Sequence, residues 1–258
     1  MIPLKECKNQ FAIGNKRTVT IIEWGGNNED ARPVRQSFGV EESMKYTNND
    51  WNVAKASPKC QFYGGTFRSD FCAETASANG NVYRYTKCTG TKKLLRNIRA
   101  SSGIEWNEDN NKFYHTDSCS GVIREYDWDP KTGDICNGRV VFKYKKRIGE
   151  LLVVPIGLTI DVKGYLNATL YAGSCVLKIN PRTSKVMKKI TIPAEIVTSA
   201  SFGGPNLDIH FVTTASKAFN LTDGGLSNKT FGPESGSVYM ITGLKTKGYP
   251  GRQFCVRS

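Results

Sequence analysis

Apolar and polar side chains alternate over short segments along most of this chain, and turn-forming residues separate the segments. Residues 102–107, 112–118 and 124–130 show the pattern, with Gly, Asn, Asp and Pro beside or between them. A period of two places successive side chains on opposite faces of a strand. Turn residues between such runs are typical of antiparallel hairpins. The pattern therefore predicts β-strands joined by tight turns, and no segment shows a convincing amphipathic helix.

The same order of strands and turns recurs about every 50 residues. Complete units are predicted over 48–100, 101–150, 151–196 and 197–250. A partial unit precedes them, with strands at 10–15, 17–24 and 32–38. Repetition at this period is typical of a β-propeller, in which each repeat forms one antiparallel blade. We therefore predict an all-β propeller of about five blade-equivalents, in a single domain over residues 1–258.

The net charge of +13 raises the question of a nucleic-acid partner. The basic residues, however, concentrate in the predicted fourth strands, within 32–35, 92–99, 143–147 and 188–189. The fourth strand is the outer edge of a blade, and Lys is commonly placed on exposed edges because an unpaired edge templates aggregation. No aromatic and basic recognition motif accompanies the charge. We therefore predict edge protection and no nucleic-acid partner, with an unspecific attraction to anionic surfaces left open.

Other features of the sequence concern location and assembly. The longest apolar run, 151–160, is interrupted by Pro155, so no membrane span is predicted. The first residues lack the charged and apolar regions of a signal peptide. Asn-X-Ser/Thr acceptor sites at Asn167, Asn220 and Asn228 point the other way, towards secretion. Cytoplasmic and secreted locations both stay open, and we expect a monomer.

The eight cysteines show no Cys-X-X-Cys spacing. Zinc sites of that kind and thioredoxin-like chemistry are therefore unsupported. Cys72, Cys119 and Cys175 follow second strands or begin third strands, which places them on one face but in different units. We interpret them as buried thiols that pack as small apolar residues.

Histidine limits the possible chemistry, because the chain holds only His115 and His210. A three-histidine metal site is excluded. His115 and Asp117 lie two residues apart on one strand face and could form an acid/base couple, although a packed structural histidine is the commoner case. No phosphate-loop, dinucleotide, serine-hydrolase or zincin motif occurs. The catalytic residues thus stay unassigned.

Several segments carry a family resemblance. Asp117-Ser118, the turn at 126–133, and residues 201–208, 212–215 and 241–248 resemble the family of regucalcin (senescence marker protein), gluconolactonase and luciferin-regenerating enzyme, especially its insect branch. The resemblance covers about residues 2–250. It implies a six-bladed propeller that holds one divalent cation in its central tunnel and hydrolyses sugar lactones. About five blade-equivalents then imply that the N-terminal blade is missing and that the sixth position is open or distorted.

The family's metal ligands are a Glu of the first blade, an Asn in Ser-Asn-Gly-Leu-Asp/Ala-Trp and an Asp in Pro-Asp-Gly. Here the second motif is Ser101–Trp106, with Ser102 in place of the Asn, and the third has Ile156 in place of the Asp. Hard cations such as calcium need oxygen ligands with enough negative charge. The family cofactor, calcium or zinc or manganese, is therefore predicted to bind here weakly or not at all.

The family's substrate motif, Asn-Arg-(Phe/Leu)-Asn-Asp-Gly-Lys, corresponds to residues 49–55. Asn52 and Lys55 match, whereas the positions of the family's Arg, Asp and Gly hold other residues. Asp70 falls where a substrate-contacting acid lies. The resemblance thus implies that Asn52 and Asp70 bind a lactone or another sugar-like molecule, although both also suit a turn and a solvated surface.

Two hypotheses follow. In the first, lactonase activity is reduced or lost and the tunnel binds a small ligand. In the second, the chain is an active hydrolase whose metal is held by other acids, such as Asp50, Asp70 and Asp117. Both require Asn52, Ser102 and Ile156 to converge at one mouth of the tunnel, because the innermost strands of a propeller line its channel.

Overall fold

The structure is a computed structural model that describes residues 1–27, 31–39, 48–68, 72, 77–220, 225–226, 229 and 231–256. Side chains of 35–37, 219–220 and 225–226 are outside this description. All regular secondary structure in the described residues is β-strand. The prediction of an all-β protein is confirmed.

The first sheet contains β1 (Ile2–Pro3), β2 (Gln10–Asn15), β3 (Thr18–Glu23) and β4 (Arg32–Gly39), paired antiparallel in that order. Three of these strands agree with the sequence analysis. The prediction of a partial unit was wrong, because the two-residue strand β1 completes the sheet. Two residues are too few for alternation to be visible in a sequence.

The next two sheets are regular four-stranded blades. The second sheet contains β5 (Asn49–Ala56), β6 (Phe62–Arg68), β7 (Gly80–Thr86) and β8 (Gly90–Ile98). The third sheet contains β9 (Ser101–Trp106), β10 (Lys112–Asp117), β11 (Val122–Trp128) and β12 (Ile135–Lys143). Both occupy the predicted units, with β5 and β9 innermost.

The last two sheets depart from four strands. The fourth contains β13 (Lys146–Ile148), β14 (Leu151–Ile160), β15 (Leu166–Tyr171), β16 (Cys175–Asn180) and β17 (Lys185–Thr191). The fifth contains β18 (Val197–Gly203), β19 (Ile209–Thr214) and β22 (Val238–Ile241), and β19 lies in the middle. Between β19 and β22 the chain forms a separate two-stranded sheet of β20 (Phe219–Asn220) and β21 (Gly225–Leu226). The sequence analysis placed residues 146 and 147 near an outer edge, but they belong to β13, which pairs with the start of the long β14.

The sheets are arranged as a five-bladed propeller within the described residues. Innermost strands β5, β9, β14 and β18 lie side by side in chain order. Apolar clusters fill the space between successive sheets and include the fully buried Phe62, Trp106 and Leu166. Removing this apolar surface from water is the main force that holds blade against blade. The propeller prediction is confirmed.

The first and fifth sheets, at the two ends of the chain, are joined in a different way from successive sheets. The fifth sheet packs on the fourth, but its described strands make no comparable contact with the first sheet. A segment near the C-terminus, residues 244–256, runs from the fourth sheet to the first and is here named the C-terminal strap. Gly248 forms a bridge with Asp161 of the fourth sheet, and Phe254 pairs in parallel with Leu4 beside β1.

Two surface predictions can be compared with the structure. In the outermost strands β8 and β17, Lys92, Arg96, Lys188 and Lys189 are exposed, as edge protection requires. No helix long and apolar enough to cross a membrane occurs in the described residues.

Asn167, one of the three acceptor sites, is buried in β15, and its Nδ2 donates to the Tyr165 carbonyl at 3.3 Å. A glycan at Asn167 therefore does not fit the folded chain. The side chains of Asn220 and Asn228 lie outside the described residues.

Candidate ligand site at the channel mouth

The structure brings Asn52, Ser102 and Ile156 to one end of the innermost strands, here named the upper mouth. Asn52 Nδ2 donates to the Ser101 carbonyl at 2.8 Å and to Ser102 Oγ at 3.2 Å. Strands β9 and β14 approach so closely that a Cβ on Gly103 would lie 2.8 Å from the Ile156 carbonyl oxygen. Asn52 and Ser102 are therefore in contact, and the Ile156 backbone lies next to the residue that follows Ser102.

A hydrogen-bonded group of neutral side chains forms around Ser102. Ser118 Oγ donates to Ser102 Oγ at 2.6 Å, and Ser102 Oγ donates to the Ala100 carbonyl at 3.3 Å. Ser118 is buried, Ser102 is half-buried and Asn52 is exposed. Hydroxyl and amide groups can hydrogen-bond a sugar hydroxyl or a carbonyl, but they carry no charge to balance a divalent cation. Sequence reasoning noted Ser118 only as part of a motif and gave it no role.

The environment of Ile156 is apolar. Its half-buried side chain packs against a cluster that includes Val154, Tyr171 and Ile196. A hydrocarbon side chain cannot coordinate a metal ion. The described residues also contain no group of three or more His, Cys, Asp or Glu side chains placed to hold one. The two residues that the resemblance places at ligand positions, Ser102 and Ile156, therefore do not fit a divalent cation.

The acids considered as substitutes are differently placed. Asp117 is buried, and its carboxylate accepts from the Ala100 amide at 3.0 Å, the Arg99 amide at 3.5 Å and Ser120 Oγ at 2.7 Å. Its oxygens thus stabilise the turn around the mouth. Asp50 is half-buried in β5. Asp70 lies outside the described residues.

Both histidines are buried packing residues. His115 Nε2 lies 2.7 Å from Ser101 Oγ, while its Nδ1 has no hydrogen-bond partner in the described part of the chain. Burial lowers the pKa of His115 to about 4, with the Asp117 charge acting in the opposite direction. Because Ser101 and His115 are fully buried and the Asp117 carboxylate binds other groups, no acid/base couple is assembled.

His210 stacks on Phe202 with ring centroids 4.5 Å apart, and burial lowers its pKa to about 4.

A disulfide bond lies near the upper mouth. It joins Cys72, which follows β6, to Cys119, which follows β10 and is adjacent to Ser118. The interpretation of these two residues as thiols was wrong, whereas Cys175 is a buried free cysteine as expected. Alternation could place each cysteine at the end of a blade, but only the packing of neighbouring blades brings the two ends together.

The opposite, lower end of the channel is occupied by the C-terminal strap. Arg252 Nη1 lies 3.3 Å from Glu105 Oε1, and Lys55 Nζ lies 2.5 Å from Glu105 Oε2. The Arg252 guanidinium also lies over the Trp106 ring, 5.4 Å from its centroid. A cavity of about 60 Å³ lies between these groups and β18. Sequence reasoning missed this arrangement because it assigned no role to residues beyond 250.

Comparisons with known proteins agree with this architecture. The family profile described as SMP-30/Gluconolactonase/LRE-like region matches residues 2–216. Regucalcin from Danio rerio is 30% identical over 241 residues, which cover 93% of this chain and 75% of that protein. Regucalcin from Bos taurus is 33% identical over 208 residues, which cover 79% of this chain and 65% of that protein. The chain belongs to the SMP-30/gluconolactonase/LRE-like family, as the resemblance predicted.

Solved structures show the same fold. A luciferin-regenerating enzyme matches with a TM-score of 0.85 and 31% identity, covering 98% of this chain and 80% of that chain. A calcium-binding regucalcin from Agrobacterium tumefaciens matches with a TM-score of 0.78 at 15% identity, which shows the fold alone. The missing N-terminal blade stays a prediction.

Proposed function

We propose that this chain is a regucalcin-like propeller that binds a lactone or another sugar-like ligand at its upper mouth, with lactone hydrolysis reduced or lost. One observation carries the proposal. The two positions at which the resemblance expects metal ligands have other partners: Ile156 packs into an apolar cluster, and the Ser102 hydroxyl is hydrogen-bonded to Asn52 and Ser118.

The binding part of the proposal rests on the neutral polar group at the mouth. The exposed Asn52 amide is held by the Ser101 carbonyl, so its orientation is set before a ligand arrives. Pre-orientation reduces the entropy lost on binding. A polyhydroxyl ligand supplies donors and acceptors that match amide and hydroxyl groups. We assign Asn52 to this contact, and Asp70 to a second contact on the strength of the family motif alone.

The reduced hydrolysis follows from the missing charge. In the family, the cation polarises the lactone carbonyl and activates water. With Ser102 and Ile156 at ligand positions, the desolvation of a divalent ion is not offset by carboxylate ligands. Neither described candidate is placed to act as a base for the mouth hydroxyls, because His115 is buried behind Ser101 and the Asp117 oxygens already accept hydrogen bonds. We therefore expect turnover close to the uncatalysed rate.

The competing function is an active metal-dependent lactonase with substitute ligands. The half-buried Asp50 favours it, because this carboxylate lies two residues from Asn52 on an innermost strand. Asp117 is a poor candidate for a ligand, since its oxygens already accept backbone and serine hydrogen bonds.

Calorimetric titration with calcium, manganese and zinc, together with a gluconolactone hydrolysis assay, separates the two functions. Binding of gluconolactone and gluconate to the wild type is compared with Asn52→Ala. Asn206→Ala, in an exposed turn at the lower end, is the matched control. We expect Asn52→Ala to weaken ligand binding by about tenfold, the effect of one lost hydrogen bond, and the control to bind normally. Metal-dependent turnover by the unmodified chain at ordinary enzymatic rates would establish the competing function.

A further inference from the structure

The C-terminal strap contacts every blade on its way across the lower end. The Gly248 amide donates to the Leu207 carbonyl at 2.9 Å and the Val162 amide to the Lys247 carbonyl at 2.9 Å, which ties the strap to the fifth and fourth sheets. Arg252 then reaches Glu105 of the third sheet. The strap is thus the element that connects the two ends of the ring.

Its far end is fixed to the first two sheets. The Phe254 amide donates to the Pro3 carbonyl at 2.9 Å, and the Lys5 amide donates to the Phe254 carbonyl at 3.0 Å. Phe254 is fully buried against Phe62. The Cys255 amide donates to the Cys60 carbonyl at 2.9 Å, which places two cysteines on adjoining segments.

The two thiols are in contact. The side chains of Cys60 and Cys255 are hydrogen-bonded to each other, and both cysteines are outside any disulfide in the structure. Disulfides join residues whose Cα atoms are about 4.4–6.8 Å apart, a separation that a direct backbone hydrogen bond also imposes. Cys60 is half-buried and Cys255 is buried, so an oxidant reaches Cys60 first.

We propose that Cys60 and Cys255 are a reversible redox pair whose disulfide fastens the strap over the lower end of the channel. The oxidant is a small-molecule disulfide. The Cys60 sulfur attacks one of its sulfurs, a mixed disulfide forms and the first thiolate leaves. The Cys255 sulfur then attacks the Cys60 sulfur and releases the second thiolate, and the two protons of the cysteine thiols pass to the released thiolates. A dithiol reverses the sequence.

The remaining free cysteines do not share this geometry. Cys88 and Cys136 are exposed in other parts of the second and third sheets, and Cys175 is buried in the fourth. Cys7 is the alternative partner, because Glu6 Oε2 accepts from the Val256 amide at 3.3 Å and so brings the strap near residue 7. The experiment must therefore identify the bonded pair and not only count thiols.

The chain is equilibrated in oxidised or reduced glutathione, its free thiols are blocked with N-ethylmaleimide, and tryptic peptides are analysed by mass spectrometry. We expect oxidation to join the peptides 60–68 and 253–257. The oxidised wild type should melt about 5 °C or more above Cys60→Ser and Cys255→Ser treated in the same way, because the bond closes a long loop of chain. Cys88→Ser, a control at an exposed cysteine, should show the same difference in melting temperature between oxidised and reduced samples as the wild type.

Three results would overturn the proposal. The first is that N-ethylmaleimide still modifies both thiols after incubation with excess oxidised glutathione, and the second is that Cys7 replaces either cysteine in the linked peptides. The third is that the oxidised Cys60→Ser chain has the same melting temperature as the oxidised wild type. The half-exposed Cys60→Ser carries the test if Cys255→Ser does not fold. The Cys72–Cys119 bond is present in every variant, so it does not contribute to the differences between oxidised samples.

Discussion

Ser102 and Ile156, which the family resemblance places at ligand positions, are single side chains on the inner strands β9 and β14. Each has its own local partners: Ser102 hydrogen-bonds to the Ala100 carbonyl and to Ser118, and Ile156 packs with apolar neighbours. The chemistry of the mouth is therefore decided at the scale of individual residues.

The affinity for calcium should rise when the family's ligand residues are introduced at positions 102 and 156. We expect the wild type to bind calcium no tighter than about millimolar, the weak end for oxygen-ligand sites. Ser102→Asn with Ile156→Asp should raise the affinity only in part, because these two changes do not supply the family's third ligand, a first-blade Glu. The same variant should melt at a lower temperature without calcium, since it places a carboxylate in an apolar cluster. Calorimetry and melting curves with and without calcium measure both effects.

The control for this prediction is Ile148→Asp, because Ile148 is 56% exposed on β13. It should leave both calcium affinity and melting temperature near wild type. Micromolar calcium binding by the unmodified chain would mean that other carboxylates have replaced the lost ligands.

The buried histidines predict a loss of stability on acidification. The pKa of His210 is lowered by burial from 6.5 to about 4 in the folded chain. Below pH 6.5 the unfolded chain therefore binds more protons than the folded one, and the free energy of unfolding falls until the pH reaches the folded pKa. Between pH 7.5 and 5 this one histidine should cost about 2 kcal/mol.

Replacing His210 by Phe removes the titrating group and retains the stacking on Phe202. The drop in the free energy of unfolding between pH 7.5 and 5, measured by urea titration, should then be smaller than in wild type by about 2 kcal/mol. Equal drops in the two proteins would show that His210 does not carry the effect.

At the scale of elements, the outer strands of the blades have contrasting chemistry. Strand β17 exposes Lys185, Lys188 and Lys189 on either side of the exposed Val186 and Met187. The short β22 exposes Val238 and Met240 at 63% and 62% and contains no charged residue. Charged side chains on an edge oppose pairing with another molecule, and apolar ones favour it. Self-association should therefore be controlled by β22 more than by β17.

Met240→Lys should reduce self-association at high protein concentration, and Lys188→Thr with Lys189→Thr should increase it. Both changes are on exposed positions, so melting temperatures should change by little. Sedimentation velocity and light scattering measure the association. Identical behaviour of all three proteins would show that these edges are protected by other means.

At the scale of the whole molecule, the strap joins the first and fifth sheets, whose described strands make no comparable direct contact. It bridges the fourth sheet through Gly248 and the first through Phe254. Full closure, or short and protected edges, is how all-β folds avoid edge pairing. Cooperative unfolding of the ring should therefore depend on the strap.

Phe254→Ala should lower the free energy of unfolding by about 3–5 kcal/mol, the usual cost of truncating a fully buried aromatic side chain. A chain ending at residue 247 should also unfold over a broader temperature range, because its first and last sheets are no longer joined. Gln253→Ala is the matched control, since Gln253 is the exposed neighbour of Phe254. A sharp two-state transition in the shortened chain would contradict a closing role for the strap.

What could be predicted from the sequence was local. The strands predicted at 10–15 and 32–38 agree with β2 (Gln10–Asn15) and β4 (Arg32–Gly39), and the recurrence near 50 residues was sufficient for the propeller. Alternation and turn residues act over a few positions, so they can be read without knowing the packing. The positions of Ser102 and Ile156 came instead from the family resemblance.

Tertiary structure decided the features that join distant segments. The Cys72–Cys119 bond spans 47 residues, the Lys55–Glu105 pair 50, and the Arg252–Glu105 pair 147. No local period marks such partners, because their contact depends on how the blades pack around the axis. The sequence alone therefore determined the blades and their order, whereas packing determined how the ring is joined, how its lower end is covered and which groups face its mouth.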